Sequence, residues 1–403
     1  MNITDNRPVI KKKDYDVVVV GGGIAGIAAA VSAARYGKKT LIIEKTIAFG
    51  GLATMGLINF YEPLCDCDGH KMMGGVCEEL IRLAASESFH NVPEEWLNGA
   101  ECVEDKIYAG KFSNNMFVIL IDEYLKKNNV DIILDTLATF PVMEGNTVKG
   151  VVCETKEGRV YYGAKVVIDA SGDADILHRA GVPTEDGENW LSFIAQCIKR
   201  EYVEEYFAKD ENASFVIKNQ AAGSGTWGKG QPEGQRKLKG LSAEDVTEMT
   251  LKGRELFLEK LRCLDIKERI VTQLPTIAQF RTTRRLKGEY EFSGNEDGQK
   301  FDDAIGSFGD WRARLDNGVA VGHFQLPYRT LYNKSYPNLL CAGRIISAYG
   351  DGWEITRVIP VCALTGEAAG YAASLSIDNN VSVSDIDINE LQNMLKENNN
   401  PII

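Results

Sequence analysis

Tyr15 to Glu44, YDVVVVGGGIAGIAAAVSAARYGKKTLIIE, restricts the fold more than any other stretch of the chain. Val17 to Val20 is an unbroken β-branched run, the pattern of a strand buried on both faces. Gly21, Gly23 and Gly26 follow as G-x-G-x-x-G. The first glycine permits a tight turn, the second lets a pyrophosphate approach the backbone, and the third lets a helix pack closely on the strand. The helix, from about Ile24 to Tyr36 and opening on Ile24 and Ala25, aims its free N–H groups and positive end at that phosphate. Thr40 to Glu44 reads as the next strand. Glu44 falls about 20 residues past the glycines, where an acid for ribose hydroxyls is expected, with Lys45 beside it. Strand, turn, helix, strand and acid together predict a dinucleotide site and leave NAD and FAD both open.

The remainder of the chain separates these two. Gly50 and Gly51 lie shortly after the ribose acid, and Gly56 follows. A second small-residue loop lets the backbone approach a large flat ligand, which a plain NAD-binding half does not need; this favours FAD. Lys165 to Asp169 (KVVID) is a strand running into Ala170, Ser171, Gly172, Asp173, Ala174 and Asp175. Ligands of open α/β sheets bind beyond the carboxyl ends of the strands, so this turn is expected near the cofactor. The lesser alternative for Asp173 and Asp175 is to cap the helix that follows.

Between these segments, Gly74–Ala85 and Met116–Lys127 have helical apolar spacing. Ile132–Asp135, Thr139–Met143, Thr147–Glu154 and Arg159–Tyr162 read as short strands. After Gly181 helical patterns alternate with polar loops, and the glycine-rich Gly223–Gly234, which holds Trp227, reads as a lid or a linker. Asn338–Cys341 is a short buried strand with Ala342, Gly343 and Arg344 as its turn. Tyr349–Trp353 reads as a loop and Arg357–Ser374 as a small-residue helix beginning near Thr356, with Ala368, Ala369 and Gly370 placed to pack on the first helix.

These segments predict an α/β protein: a Rossmann-like FAD-binding domain, its parallel sheet flanked by helices and a small β-meander, with an inserted α+β substrate domain. The boundaries are 14–180 for the first part of the FAD-binding domain, 181–334 for the substrate or cap domain, 335–378 for the return segment, and 379–403 for a C-terminal helix and tail. At 403 residues the chain is long enough for two interleaved domains. A net charge of −12 argues against nucleic acid or an anionic membrane as the main partner. No apolar run approaches the about 20 residues that span a bilayer, and the polar N-terminus has no secretory h-region. Nine cysteines without a small-domain framework favour reduced thiols and a cytoplasmic location. Homo-oligomerisation and an unidentified electron donor or acceptor complete the expected partners.

Three groups of residues are candidates for chemistry. Cys65-Asp66-Cys67-Asp68-Gly69-His70 has C-x-C spacing, short of a four-ligand zinc set, so no metal is expected; an ordinary turn or a thiol pair near the flavin fits better. Phe280–Tyr290 (FRTTRRLKGEY) carries Arg281, Arg284 and Arg285. Arginine forks suit carboxylates, and in a helix Arg281 and Arg285 would share one face. His323, one of four histidines, is the first choice of base, with Asp351 and Tyr349 behind it.

The ordered set VVVVGGGIAG, IIEK, GGLAT, VVIDASGDADI, FRTTRRLKGEY, LPYRTL, NLLCAGRIIS and RVIPVCALTGEAAG spans nearly the whole chain. It resembles the FAD-dependent oxidoreductases of the glutathione-reductase-like flavoprotein class, in particular the bacterial group known only by that activity. The resemblance implies that Gly21, Gly23, Gly26 and Glu44 hold the ADP half of FAD. Gly50, Gly51, Leu52, Ala53 and Thr54 would line the pyrophosphate and approach the flavin. Ala138 would lie near adenine, Asp173 on the ribose side, Gly343 and Arg344 by the ribitol, and Thr356 and Arg357 by the flavin pyrimidine. Many relatives carry an acid where this chain has Arg344. The implied activity is hydride transfer between flavin N5 and a small polar substrate, either a hydroxy compound, a sugar or a carboxylate, the last fixed by Arg281, Arg284, Arg285 or Arg357. The competing reading is an electron-transfer flavoprotein subunit that uses a protein partner or Cys65 and Cys67.

Overall fold

Val17, Val18 and Val19 have no solvent contact at all, and the strand that holds them, Ile10–Val20, is the axis of the main sheet. The computed structural model describes residues 7–66, 68–104, 106–209, 216–225, 228–310 and 322–403. Ile10–Val20 pairs in parallel with Thr40–Ile43 on one side and with Gly158–Asp169 on the other. Thr40–Ile43 pairs in parallel with Asp131–Ile133, and Gly158–Asp169 with Leu339–Cys341. The parallel part is therefore closed on one flank by a strand from the far end of the chain. Thr147–Thr155 and Leu137–Glu144 extend the sheet as an antiparallel meander along the first half of Gly158–Asp169. The carboxyl ends of the central strands, at Val20, Ile43, Asp169 and Cys341, all face one edge, where a doubly wound sheet binds its ligand.

The first helix, Ile24–Arg35, is buried from Ile24 through Ala33. It crosses the long helix Ile359–Asn379 almost backbone to backbone. A Cβ on Gly366 would stand 2.1 Å from the Ala25 carbonyl oxygen, and one on Gly370 would stand 2.4 Å from that of Ala29. The small residues of both sequences are thus what lets the return segment lie on the glycine helix. Outside this core, Ser192–Ile198 is the centre of a three-stranded antiparallel sheet, between Ile217–Gly223 and Ile270–Gln273. The helix Ala243–Arg262 covers it, capped by Ser242, with the Phe193 and Phe257 rings 5.7 Å apart in a small core of their own.

Several elements differ from expectation. Arg159–Tyr162 and Lys165–Asp169 are one strand of 12 residues. Gly163 lies inside it because a Cβ there would meet the Asp14 carboxylate at 2.1 Å, beside a register shift in the partner strand. Tyr349–Trp353 is not all loop, since a short helix runs Asp351–Thr356. The long helix then starts afresh at Ile359 after an extended Val358, with Pro360 in its first turn, where the missing N–H costs nothing. Arg284–Leu286 is a strand paired with Thr184–Asp186, so the arginine cluster is not helical and Arg281 and Arg285 do not share a helix face. Trp227 and Cys67 lie outside the described residues.

Candidate functional site

The strand ends and both glycine loops enclose a cavity of about 430 Å³, within the usual range of about 300–1,000 Å³ for small-molecule and cofactor sites. The three motif glycines have three different reasons to be glycine. Gly21 has φ +104°, and a Cβ there would sit 2.4 Å from the Ala170 carbonyl oxygen. A Cβ on Gly26 would sit 1.9 Å from the Gly21 carbonyl oxygen, so this position fixes the helix against the turn. Gly23 has an ordinary φ of −72°, and a Cβ there would meet nothing within 4 Å. Neither the backbone nor any protein neighbour requires glycine at 23; the residue borders the cavity at the helix N-terminus.

Glu44 is nearly buried, and its carboxylate ties the motif together. One oxygen accepts the Gly22 N–H at 2.7 Å and the other the Thr46 N–H at 2.8 Å. The second glycine loop docks on the first turn: the Gly50 N–H donates to the Gly22 carbonyl at 2.8 Å, and a Cβ on Gly51 would come within 3.1 Å of Gly23 Cα. Gly50, Gly51, Leu52 and Ala53 line the cavity. Thr54 does not; it is buried behind them, donating its hydroxyl to the Phe49 carbonyl at 2.6 Å.

On the opposite side, Ala170, Ser171, Gly172 and Asp173 form the turn after the central strand, and Ala342, Gly343 and Arg344 the turn after the return strand. Arg344 joins the two turns. Its guanidinium donates to the Gly172 carbonyl at 2.6 Å and to the Asp173 carboxylate at 2.9 Å. Burial opposes ionisation of Asp173, but Arg344, Lys45 and the Thr283 hydroxyl outweigh it and hold the carboxyl below its ordinary value. Neither Asp173 nor Asp175 is the main cap of the short helix Asp175–Arg179. Buried Asp169 is, accepting the Ile176 and Leu177 N–H groups at 2.9 Å each.

Arg357, Ile359 and Cys362 also line the cavity, with Thr276–Ala278 and Phe280 as a wall. Burial pushes the Cys362 thiol up to about 12, which keeps it protonated at neutral pH. Glu62, which no sequence motif singles out, does not itself line the cavity but stands against Ile359, which does. Its carboxylate accepts the Ile359 N–H at 3.2 Å. The side chain keeps some solvent contact, yet desolvation pushes its carboxyl up to about 7, against the pull of the backbone N–H groups and of Arg357. The only local signal was a lone acid in the apolar run LINFYEPL.

Gly21, Gly23, Ile24, Ala25, Glu44, Lys45 and Arg357 all line the cavity, whereas Gly26, Ala138 and Thr356 do not. His323 is exposed on a hairpin strand paired with Ala304–Gly309, where its N–H donates to Asp297, and it does not line the cavity. Asp351 is exposed in the first turn of its short helix and Tyr349 is exposed beside it; neither lines the cavity. Arg285 is buried and held between Glu185 and Glu291, each at 2.9 Å, and Arg284 lies against Asp175 and Asp186. These two arginines are committed to carboxylates of the fold. Cys65 is buried with its sulfur accepting the Tyr108 N–H at 3.2 Å, off the cavity. Asp66 accepts the Asp68 and His70 N–H groups, the pattern of a turn.

The family model described as "FAD dependent oxidoreductase" matches residues 16–214 and 199–395. A digeranylgeranylglycerophospholipid reductase of Methanoculleus marisnigri is 28% identical over 188 residues, covering 43% of this chain. The match spans 42% of that relative's own length. Among solved structures, a geranylgeranyl bacteriochlorophyll reductase-like protein of Thermoplasma acidophilum is similar with a TM-score of 0.49 and 15% identity, over 96% of this chain and 83% of that one. The p-nitrophenol 4-monooxygenase PnpA of Pseudomonas putida follows with a TM-score of 0.45 and 13% identity, over 95% and 84%.

Proposed function

The chain belongs to the FAD dependent oxidoreductase family, and from that premise we propose that it moves a hydride between a small polar substrate and FAD, on the plan of the glutathione-reductase-like class. FAD supplies the two-electron acceptor or donor. The observation that carries the reading is the open space at Gly23, in a cavity that Arg357 and Cys362 also line. A glycine required by no protein neighbour, at a helix N-terminus, fits a pyrophosphate that comes up to the backbone.

In this reading Gly21, Gly23, Gly50 and Gly51 border the pyrophosphate, and Glu44 turns toward the adenosine ribose. Asp173 stands on the ribose side, Arg344 by the ribitol, and Arg357 by the flavin pyrimidine. The wall Thr276–Phe280 excludes water from the reacting face. Glu62, whose carboxyl titrates near neutrality at the flavin end, holds the proton that must leave or reach the substrate. Cys65 is off the cavity, and in this reading it is the substrate that meets the cofactor.

The test is anaerobic. The purified protein shows an oxidised flavin spectrum that bleaches when a small hydroxy acid, alcohol or NAD(P)H is added. A flavin that only a reduced protein partner can bleach, and no small donor, would overturn hydride transfer in favour of electron transfer.

A further inference from the structure

Behind the wall Pro275–Thr282 lies a small recess of about 80 Å³. The wall divides its residues between two spaces: Thr276, Ile277, Ala278 and Phe280 face the large cavity, and Gln279, Arg281 and Thr282 face the recess. Three polar side chains of the recess, Asn189, Gln279 and Thr282, are held by backbone. Asn189 accepts the N–H groups of Arg281 and Thr282 and donates to the Thr282 and Leu238 carbonyls. Gln279 accepts the Ile194 N–H and donates to the Gly56 and Ile194 carbonyls. The Thr282 hydroxyl donates to the Glu188 carbonyl.

An arginine and a serine of the recess are not held in this way. The partly buried Arg281 guanidinium makes no hydrogen bond or ion pair with the described residues, and the Ser192 hydroxyl makes none either. Burial and the like charge of Arg357 hold Arg281 below the ordinary guanidinium value, with Glu354 pulling the other way. Glu354 does not neutralise Arg281, because its carboxylate is taken by Arg357, whose Nε lies 3.2 Å away. The Glu188 carboxylate pairs instead with Lys237 at 3.4 Å. The Arg281 guanidinium is therefore left without a bonded counter-ion among the described residues, and a largely desolvated cation without one is costly unless a ligand supplies it.

We propose that this recess is an anion subsite in which the carboxylate of a small substrate seats on the Arg281 guanidinium and the Ser192 hydroxyl, its other end directed past Glu354 and Arg357 toward the large cavity. The proposal rests on the hydride-transfer reading for what happens at that other end. A single free guanidinium favours a monoanion, hence a carboxylate over a phosphate dianion. The small volume admits a headgroup and not a whole large ligand. The planar fork of arginine matches a carboxylate, and the hydroxyl adds one donor.

The test is calorimetric titration of the FAD-loaded protein with acetate, propionate and inorganic phosphate, with flavin-to-protein ratio measured on the same samples. Acetate and propionate bind more tightly than phosphate. Arg281→Ala weakens them on the order of 10- to 100-fold, the loss of a charge-assisted hydrogen-bonded contact. Arg281→Lys recovers part, Ser192→Ala costs less, and flavin content is unchanged throughout. Carboxylates that bind no better than phosphate, or with the same affinity in Arg281→Ala, overturn the subsite. Should Arg281→Ala fail to fold, Arg281→Lys and Ser192→Ala decide, since unchanged affinity in both is equally fatal. The cofactor reading fails separately, by absence of flavin; carboxylate binding is then followed by tryptophan fluorescence, because Trp190 lines the same recess.

Discussion

Replacing Gly23 by alanine separates cofactor binding from folding at the cost of one methyl group. The position has φ −72° and ψ 178°, open to any residue, and the new Cβ meets no protein atom within 4 Å. Alanine narrows the unfolded ensemble, which stabilises by about 0.4–1 kcal/mol. It is a poorer N-cap than glycine, which costs up to about 1 kcal/mol. The two offset, so the apoprotein keeps its stability to within about 1 kcal/mol. With FAD the methyl occupies the space left for the pyrophosphate and pushes it off the helix N–H groups. Losing one charge-assisted hydrogen bond costs about 1.5–3 kcal/mol, and each 1.4 kcal/mol is roughly tenfold in affinity. The FAD Kd therefore rises on the order of 10- to 100-fold. The assay is calorimetric FAD binding to deflavinated wild type and Gly23→Ala, with urea melts of both apoproteins. Unchanged Kd refutes the pyrophosphate assignment. An apoprotein weakened by several kcal/mol refutes the claim that the space at Gly23 is free.

What the sequence made legible here is what depends on neighbours along the chain. The glycine turn, the strands on either side and the acid at Glu44 follow from local spacing, and the structure brings them to one cavity. Arg344 looked like a departure from an acidic ribitol contact, but its partner Asp173 is 171 positions away, so no local pattern could announce that it ties two turns together. Glu62 meets Ile359 across 297 positions, for the same reason. Helical spacing pairs Arg281 with Arg285. Extended chain rises about 3.3 Å per residue against about 1.5 Å in a helix, so the two arginines lie well apart, and Arg285 is consumed by Glu185 and Glu291 while Arg281 is left facing the recess. His323 drew notice because histidine is scarce, and scarcity carries no information about where a hairpin places a side chain.

Gly26→Ala has the opposite signature to Gly23→Ala: its Cβ would lie 1.9 Å from the Gly21 carbonyl oxygen, so denaturant melts of the apoprotein show a loss of about 1–3 kcal/mol or more, and wild-type stability would refute the packing role. Glu367 is wholly buried in the long helix, and desolvation raises its carboxyl from 4.5 to about 8. A raised folded-state value means its contribution to stability is full below pH 4.5 and is lost as pH rises through 8. The slope over that window is about 1.4 kcal/mol per pH unit. Urea melts from pH 5 to 8 show this decline in wild type, and Glu367→Gln flattens it; an equal slope in both removes Glu367 as the cause. Glu62 carries the same sign at a functional place. Its carboxyl titrates near 7 instead of 4.5, so it is largely protonated below neutrality and charged above it. When it ionises, a negative charge appears beside Arg357 and at the first N–H of the long helix, both at the flavin end of the cavity. That charge opposes electron density on the flavin pyrimidine and partly cancels the helix N-terminus that favours it. The flavin absorption band of the holoprotein therefore shifts between pH 6 and 8 with a midpoint near 7, and the shift is absent in Glu62→Gln, which keeps the shape and cannot ionise. A midpoint that survives in Glu62→Gln assigns the titration to another group and removes Glu62 from the reaction.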